Sequence, residues 1–258
     1  MSACQPAACT ASARIDGAAH AADTVAIIVA GGVGARFGDP LGKQFVELCG
    51  RPIVAWSLLA FDAAPSVAHI VIVCVESRRD EIEGILTGLS LSTPVSLADS
   101  GEVRQESVAS GLAAMPKGHA YCAIHDAARP LIECETIERS IACLRADKTL
   151  SGTLVAARVT DTLKLVEEGI VVSTPDRSFY WAAQTPQTFR TRVLEDAYAS
   201  ASFEYFIGTD DASLVERAGG RIRCIEPAAS NLKVTYPEDL AIAEVLLSRR
   251  LGRGEALV

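Results

Sequence analysis

The chain lacks a long hydrophobic run. Its cleanest apolar stretches, Val25–Ala30 and Ile70–Val75, are a few residues each, whereas a bilayer span needs about 20. No C-x-x-C spacing occurs, which argues against a zinc cage or a redox pair. The eight cysteines (Cys4, Cys9, Cys49, Cys74, Cys122, Cys134, Cys143 and Cys224) are not expected to form disulfides. A chain of this length needs no staples, and Cys74 and Cys122 sit in apolar strand-like runs where cysteine acts as a small hydrophobe. Positive charge is scarce: Lys plus Arg number 24 against 32 Asp plus Glu, for a net charge of −8. Broad binding to nucleic acid is therefore not expected, and any anion must be held by a few placed cations. Residues 1–22 show no basic stretch followed by an apolar one, so they do not read as a secretory signal. They read instead as a disordered extension on a cytoplasmic protein. What is present is a 49% share of apolar residues, enough for a core. With no internal repeat and no long linker, residues 23–258 read as one domain.

Along that domain, strand-like and helix-like segments alternate. The continuous apolar runs Val25–Ala30 and Ala68–Val75 read as strands buried on both faces. Val95–Leu97, Tyr121–Ile124, Thr153–Ala157 and Ile222–Ile225 add further strands. Helical spacing marks Pro52–Asp62, Arg79–Leu89, Arg104–Met115, Thr136–Ala146, Ala212–Ala218 and Glu238–Arg250. Thr235 and Glu238 have the spacing of a capping box for the last helix. This alternation predicts an α/β fold with a mostly parallel sheet and helices on both faces. Ligands of such sheets gather at the carboxyl ends of strands. The loops after Ala30, Val75, Leu97, Ile124 and Ala157 are the ones to inspect. Residues 158–183 break the pattern. Val159–Val166 and Ile170–Ser173, separated by Glu167-Glu168-Gly169, read as a projecting β-arm that docks on a partner subunit, the alternative being a hairpin folded back on its own domain.

After the first strand comes Gly31-Gly32-Val33-Gly34-Ala35-Arg36, followed by Lys43. Glycines let a backbone approach a phosphate chain with its N–H groups turned inward. A P-loop is excluded because Gly42-Lys43 is followed by Gln44 instead of Ser or Thr. A dinucleotide fingerprint fits poorly because Phe37 stands where its third glycine belongs, and a plain glycine turn with solvated charges is the bland alternative. A loop that wraps a nucleoside triphosphate, with Arg36 and Lys43 as its cations, fits best.

Seven segments then occur in one order: Ala30-Gly31-Gly32-x-Gly34-x-Arg36, Lys43-Gln44-Phe45, Arg104-Gln105-Glu106-Ser107-Val108, His125-Asp126-Ala127-Ala128-Arg129-Pro130, Asp161-Thr162-Leu163-Lys164, Gln184-Thr185-Pro186-Gln187 and Asn231-Leu232-Lys233-Val234-Thr235. Together they resemble the 2-C-methyl-D-erythritol 4-phosphate cytidylyltransferase family of nucleotidyltransferases. The resemblance implies a Rossmann-like sheet and a homodimer held through the β-arm. It implies transfer of CMP from CTP to the 4-phosphate of methylerythritol phosphate, with pyrophosphate leaving and a divalent ion, Mg2+, assisting. It assigns Arg36, Lys43, Arg177 and Lys233 to catalysis. Ala30, Gly31, Gly32, Gly34, Gly101, Glu102, Arg104, Ser107 and Ala127 surround the nucleotide. Thr162, Arg177 and Lys233 hold the acceptor, with Thr162 and Arg177 reaching in across the dimer. Asp126 holds the metal, and His125 is structural.

The chain departs from the family pattern at two points. Gly42 stands where the family usually has proline before Lys43, and Glu226-Pro227-Ala228-Ala229-Ser230 lacks the acidic residues common before Asn231. The first departure would loosen the loop, and the second removes a possible second metal carboxylate. The alternatives are a ribitol-5-phosphate cytidylyltransferase, with the same glycine loop, and a non-catalytic CTP-binding homologue. A fusion with a cyclodiphosphate synthase is not expected at this length.

Overall fold

The computed structural model describes residues 22–32, 37, 42–227 and 231–252. In chain order these form β1 (Thr24–Val29), β2 (Glu47–Leu48), β3 (Arg51–Pro52), α1 (Ile53–Asp62), β4 (Val67–Cys74), α2 (Arg79–Gly88), β5 (Val95–Asp99) and α3 (Arg104–Ala114). They continue with β6 (Tyr121–Asp126), α4 (Cys134–Ala146), β7 (Gly152–Arg158), β8 (Leu165–Glu167), β9 (Ile170–Ser173) and β10 (Trp181–Arg190). The last four are α5 (Thr191–Phe203), α6 (Asp211–Arg217), β11 (Ile222–Ile225) and α7 (Pro237–Gly252).

Seven strands make the main sheet in the order β11-β7-β10-β6-β1-β4-β5. β1 pairs in parallel with β4 and β6, β4 with β5, and β7 with β11. β10 alone runs antiparallel, against both β6 and β7. Successive residues of a strand face opposite sides, and the three adjacent strands β6, β1 and β4 use both sides for apolar packing. Ala26 and Ile28 of β1, Ile70 and Ile72 of β4, and Ala123 of β6 face one layer with α1 and α4. Val25, Ile27, Val71, Val73, Cys122 and Ile124 face the other, with α3, α5 and α6. Each fully buried Ile contributes roughly 1.5–3 kcal/mol by leaving water. The parallel sheet with helices on both faces is as expected. Cys74 and Cys122 are fully buried and unpaired, as their apolar surroundings indicate.

Three details differ from the sequence reading. The arm is narrower than residues 158–183. Arg158 ends β7, and Trp181–Ala183 pair with Arg158–Ala156, so both ends of that span belong to the main sheet. Only β8 and β9 form the separate hairpin. Second, β10 and α5 were not anticipated. The buried side chains of β10 include Thr185, Gln187 and Thr188, so it carries no apolar alternation to notice. Their polar groups are satisfied internally; Thr188, for example, accepts from Ser140, which also bonds Thr153. Third, the cap of α7 uses Asp239 instead of Glu238. The Asp239 carboxylate accepts the N–H groups of Thr235 and Tyr236, both at 2.8 Å.

Candidate active site

β1 and β6 lie side by side, and the chain crosses from them toward opposite edges of the sheet, from β1 to β4 and from β6 to β7. A crevice opens where such a crossing reverses. Here it is a cleft of about 210 Å³ lined by the ends of β1 and β6, the loop entering α3, and Lys43, Gln44 and Lys233. Of the five loops singled out from sequence, those after β1, β5 and β6 line it, and those after β4 and β7 do not.

The floor is built by close backbone approach. A Cβ on Gly31 would lie 2.3 Å from Cβ of Ser100, and one on Gly101 would lie 2.2 Å from Cβ of Glu106. No side chain fits at either position. A Cβ on Gly32 would meet nothing within 4 Å among the described residues, and Gly32 lines the cleft. Gln44 donates to the Ala30 carbonyl at 2.8 Å and ties the lysine segment to the end of β1. Gly42 has φ +94°, which proline cannot adopt. The replacement of proline there therefore accompanies a different backbone path, packed directly against the Gln44 side chain. The start of α3 is closed by its own side chains. Glu106 accepts from the N–H of Glu102 at 2.8 Å, while Ser107 accepts from Gly101 N–H at 3.1 Å and donates to the Val103 carbonyl.

Charge concentrates at the far wall. Asp126 ends β6, and each of its carboxylate oxygens accepts from one cation: Lys233 Nζ at 2.7 Å and Arg104 Nε at 3.2 Å. Arg104 Nη2 donates at 2.8 Å to Asp211, a fully buried carboxylate at the start of α6. Burial alone would raise the Asp126 carboxyl. Arg104, Lys233 and Arg129 outweigh that and hold it well below the usual carboxylate range. Burial opposes the Arg104 charge, but Asp211 and Asp126 more than restore it.

Lys233 is brought here by a scaffold of motif residues. Val234 N–H donates to the Ala128 carbonyl, buried Arg129 donates to the Asn231 carbonyl at 2.9 Å, and the Asn231 amide donates to Gln184 and Thr185. Behind Asp126, its N–H donates to Thr185 Oγ1 at 3.0 Å, and Thr185 bonds His125 Nδ1 at 3.0 Å. His125 is fully buried, which agrees with a structural role.

Of the residues expected at the site, Ala30, Gly31, Gly32, Lys43, Gly101, Glu102, Arg104, Ser107, Asp126, Ala127 and Lys233 converge on the cleft. Gly34 and Arg36 lie outside the described residues, as do residues 228–230. Thr162 and Arg177 do not join the cleft of their own chain. Both are exposed on or beside the arm, and Arg177 donates to the Thr160 carbonyl. Ser107 and Arg104 spend hydrogen bonds on the protein itself, so they build the wall as much as they present it. The sequence reading missed Gln44, although it stands inside the Lys43-Gln44-Phe45 signature. It also missed Asp211, which stands just before the helix read at Ala212–Ala218.

The family model for 2-C-methyl-D-erythritol 4-phosphate cytidylyltransferase matches residues 24–249. An enzyme of that name from Trichormus variabilis is 41% identical over 225 residues, covering 87% of this chain and 97% of its own. One from Syntrophotalea carbinolica is 39% identical over 227 residues, covering 86% and 94%. Among solved structures, the 4-diphosphocytidyl-2C-methyl-D-erythritol synthase from Anaerococcus prevotii superposes with a TM-score of 0.77 at 26% identity, covering 88% of this chain and 98% of its own. The cytidylyltransferase from Francisella tularensis gives 0.71 at 27%, covering 86% and 99%. Relatives this similar, matched over nearly their full length, show that the chain belongs to the 2-C-methyl-D-erythritol 4-phosphate cytidylyltransferase family and is a cytidylyltransferase, carrying CMP from CTP to that acceptor in isoprenoid biosynthesis.

Proposed function

We propose that this transfer takes place in the cleft between β1 and β6, and that the enzyme works by lining up two anions instead of by acid–base chemistry. The observation that carries the reading is the meeting of Lys43, Lys233, Arg104 and Asp126 with the two glycine-bearing loops in one cavity. An oxygen of the acceptor phosphate attacks the α-phosphorus of CTP, and the bond to pyrophosphate breaks. The attacking oxygen is already ionised, so no general base is needed. Phosphoryl-type transfer of this kind depends on positioning and charge stabilisation. Lys43, with Arg36, stabilises the charge that builds on the α-phosphate and the departing pyrophosphate. Removing such a group typically costs on the order of 10²–10³ in rate. The backbones of Gly31 and Gly32 hold the phosphate chain, and the loop from Gly101 to Ser107 encloses cytosine and ribose.

Lys233 orients the acceptor phosphate together with Thr162 and Arg177 of a second copy. Support for a homodimer comes from the hairpin, where Leu165, Val166, Ile170, Val171 and Val172 are all exposed. A β-hairpin with apolar residues in water calls for a covering surface. The donor set also fits a magnesium ion carried on the triphosphate. No group of three His, Cys, Asp or Glu side chains poised for a metal exists among the described residues. Mg2+ needs only one or two carboxylates beside phosphate oxygens and water. Asp126 would hold it, since its engaged oxygens keep further lone pairs. When bound, the ion would neutralise charge on the transferring phosphate. Among the described residues no helix is long and apolar enough to cross a membrane, and a cytoplasmic site of action fits the substrates.

The test is pyrophosphate release from CTP and Mg2+ with each of two acceptors. Methylerythritol phosphate should be used in preference to ribitol 5-phosphate, and Lys43→Ala should lower turnover far more than CTP affinity. Higher activity with ribitol phosphate, or unchanged turnover in Lys43→Ala, would overturn the reading.

A further inference from the structure

Arg104 is gripped from behind by a carboxylate that lies outside the cleft. Asp211 is fully buried, and its two oxygens are both committed: one accepts from Arg104 Nη2 at 2.8 Å, the other from the hydroxyl of Tyr198 on α5. Its position is fixed by β10. Gln187 donates to Asp210 at 2.8 Å and accepts from Ala212 N–H at 2.9 Å, which holds the first turn of α6 on both sides of Asp211. Asp210 itself caps that turn by accepting from Ser213 N–H at 2.9 Å. A continuous polar line therefore runs from Tyr198 through Asp211, Arg104 and Asp126 to Lys233.

Such a line is a poor device for stability alone. Burying a carboxylate and drawing a guanidinium partly out of water carries a large desolvation cost, and well-packed apolar residues often serve as well or better. What it does provide is orientation. A guanidinium is planar, and two anchors at different nitrogens fix its plane. With Nη2 pinned by Asp211, Arg104 can offer Nε to only one oxygen of Asp126. The other oxygen is left for Lys233.

We infer that Asp211, steadied by Tyr198, is a positioning residue for the transfer: it pins Arg104, and through Arg104 it sets the direction of Asp126 and Lys233 in the cleft. The inference rests on the proposed function, in that it takes this cleft as the site of transfer.

Four variants test it: Arg104→Ala, Asp211→Asn, the double variant, and Tyr198→Phe, each checked for folding by circular dichroism and melting temperature. Asp211→Asn should lower kcat about 10- to 100-fold, the scale of one lost hydrogen bond to a charged group, while KM for CTP stays within about threefold of the parent, the split expected of a group that acts on orientation. In the Arg104→Ala background the same substitution should change kcat by less than about twofold, because its route of action is gone. Tyr198→Phe removes only a hydroxyl and should lower kcat several-fold, again with no further effect once Arg104 is absent. It stands in for Asp211→Asn if that variant does not fold. A folded Asp211→Asn or Tyr198→Phe with parental kcat overturns the inference, as does a loss that simply multiplies with that of Arg104→Ala. If Arg104→Ala itself keeps full turnover, the site assignment falls as well. If Arg104→Ala is impaired and Asp211→Asn is not, the relay alone falls.

Discussion

The buried histidine behind the cleft makes a quantitative prediction. His125 is fully enclosed, with Nδ1 3.0 Å from Thr185 Oγ1 and Nε2 3.3 Å from the Arg129 carbonyl. Its ring also leans on Phe61, with centroids 5.1 Å apart. Burial pushes its pKa down to about 3, with Asp126 offering only partial opposition. In the unfolded chain a histidine titrates near 6.5. The unfolded state thus takes up a proton that the folded state refuses. The stabilisation is complete above about pH 6.5 and is lost as pH falls toward about 3. Each unit in that window corresponds to about 1.4 kcal/mol. From about pH 7 to about pH 5 the loss from this one group integrates to about 2 kcal/mol, because roughly half a unit of the interval lies above the unfolded pKa. The assay is urea unfolding of the metal-free protein at both pH values, beside His125→Gln. Glutamine can still donate toward the Arg129 carbonyl but cannot titrate. The parent should lose about 2 kcal/mol more than the variant between the two conditions. Equal losses in the two proteins would refute a neutral, sealed imidazole at this position.

Three further outcomes are expected. Gly31→Ala should destabilise the fold by about 1–3 kcal/mol through overpacking against Ser100 and raise KM for CTP, whereas Gly32→Ala should leave the melting temperature unchanged; thermal melts and CTP titrations compare them, and equal melts would contradict the tight floor. Arg177→Ala should weaken use of the acceptor with little change in CTP binding, as read from separate KM values; an effect on CTP alone would remove Arg177 from the acceptor. Ile170→Lys, at a position 72% exposed on the arm, should shift the protein toward monomer on gel filtration and reduce turnover with it; an unaltered elution volume would argue against the arm as the dimer contact.

Much of the sheet was legible because its central strands are buried on both faces. Val25–Ala30 and Ile70–Val75 advertise themselves as unbroken apolar runs, and Tyr121–Ile124 does so more briefly. Gly31, Gly32 and Lys43 stood out because a small set of residue types suits a phosphate chain, whereas Asp126 and Lys233 came only through the family resemblance; all five line the cleft. What stayed hidden was polar or distant. β10 buries Thr185, Gln187 and Thr188 against partners that no local pattern reveals. The bond from Arg104 to Asp211 joins residues 107 positions apart. The Asp210-Asp211 pair announces a helix start equally well whether its second member faces water or a guanidinium. Asp239 took the cap of α7 because the helix begins at Pro237, so the acid three residues past Tyr236 is the one that reaches back.

The reversed direction of β10 has a geometric outcome. β7 runs the same way as β6, so it finishes on the rim that carries Asp126, and β10, heading back, starts from that rim. The hairpin that joins them is rooted on the rim of the cleft proposed for the transfer and not at the opposite end of the sheet. In the proposed dimer, a partner that grasps this handle would be anchored next to that cleft, and a few residues at the handle's base would be enough to bring a neighbour's side chains to the substrate.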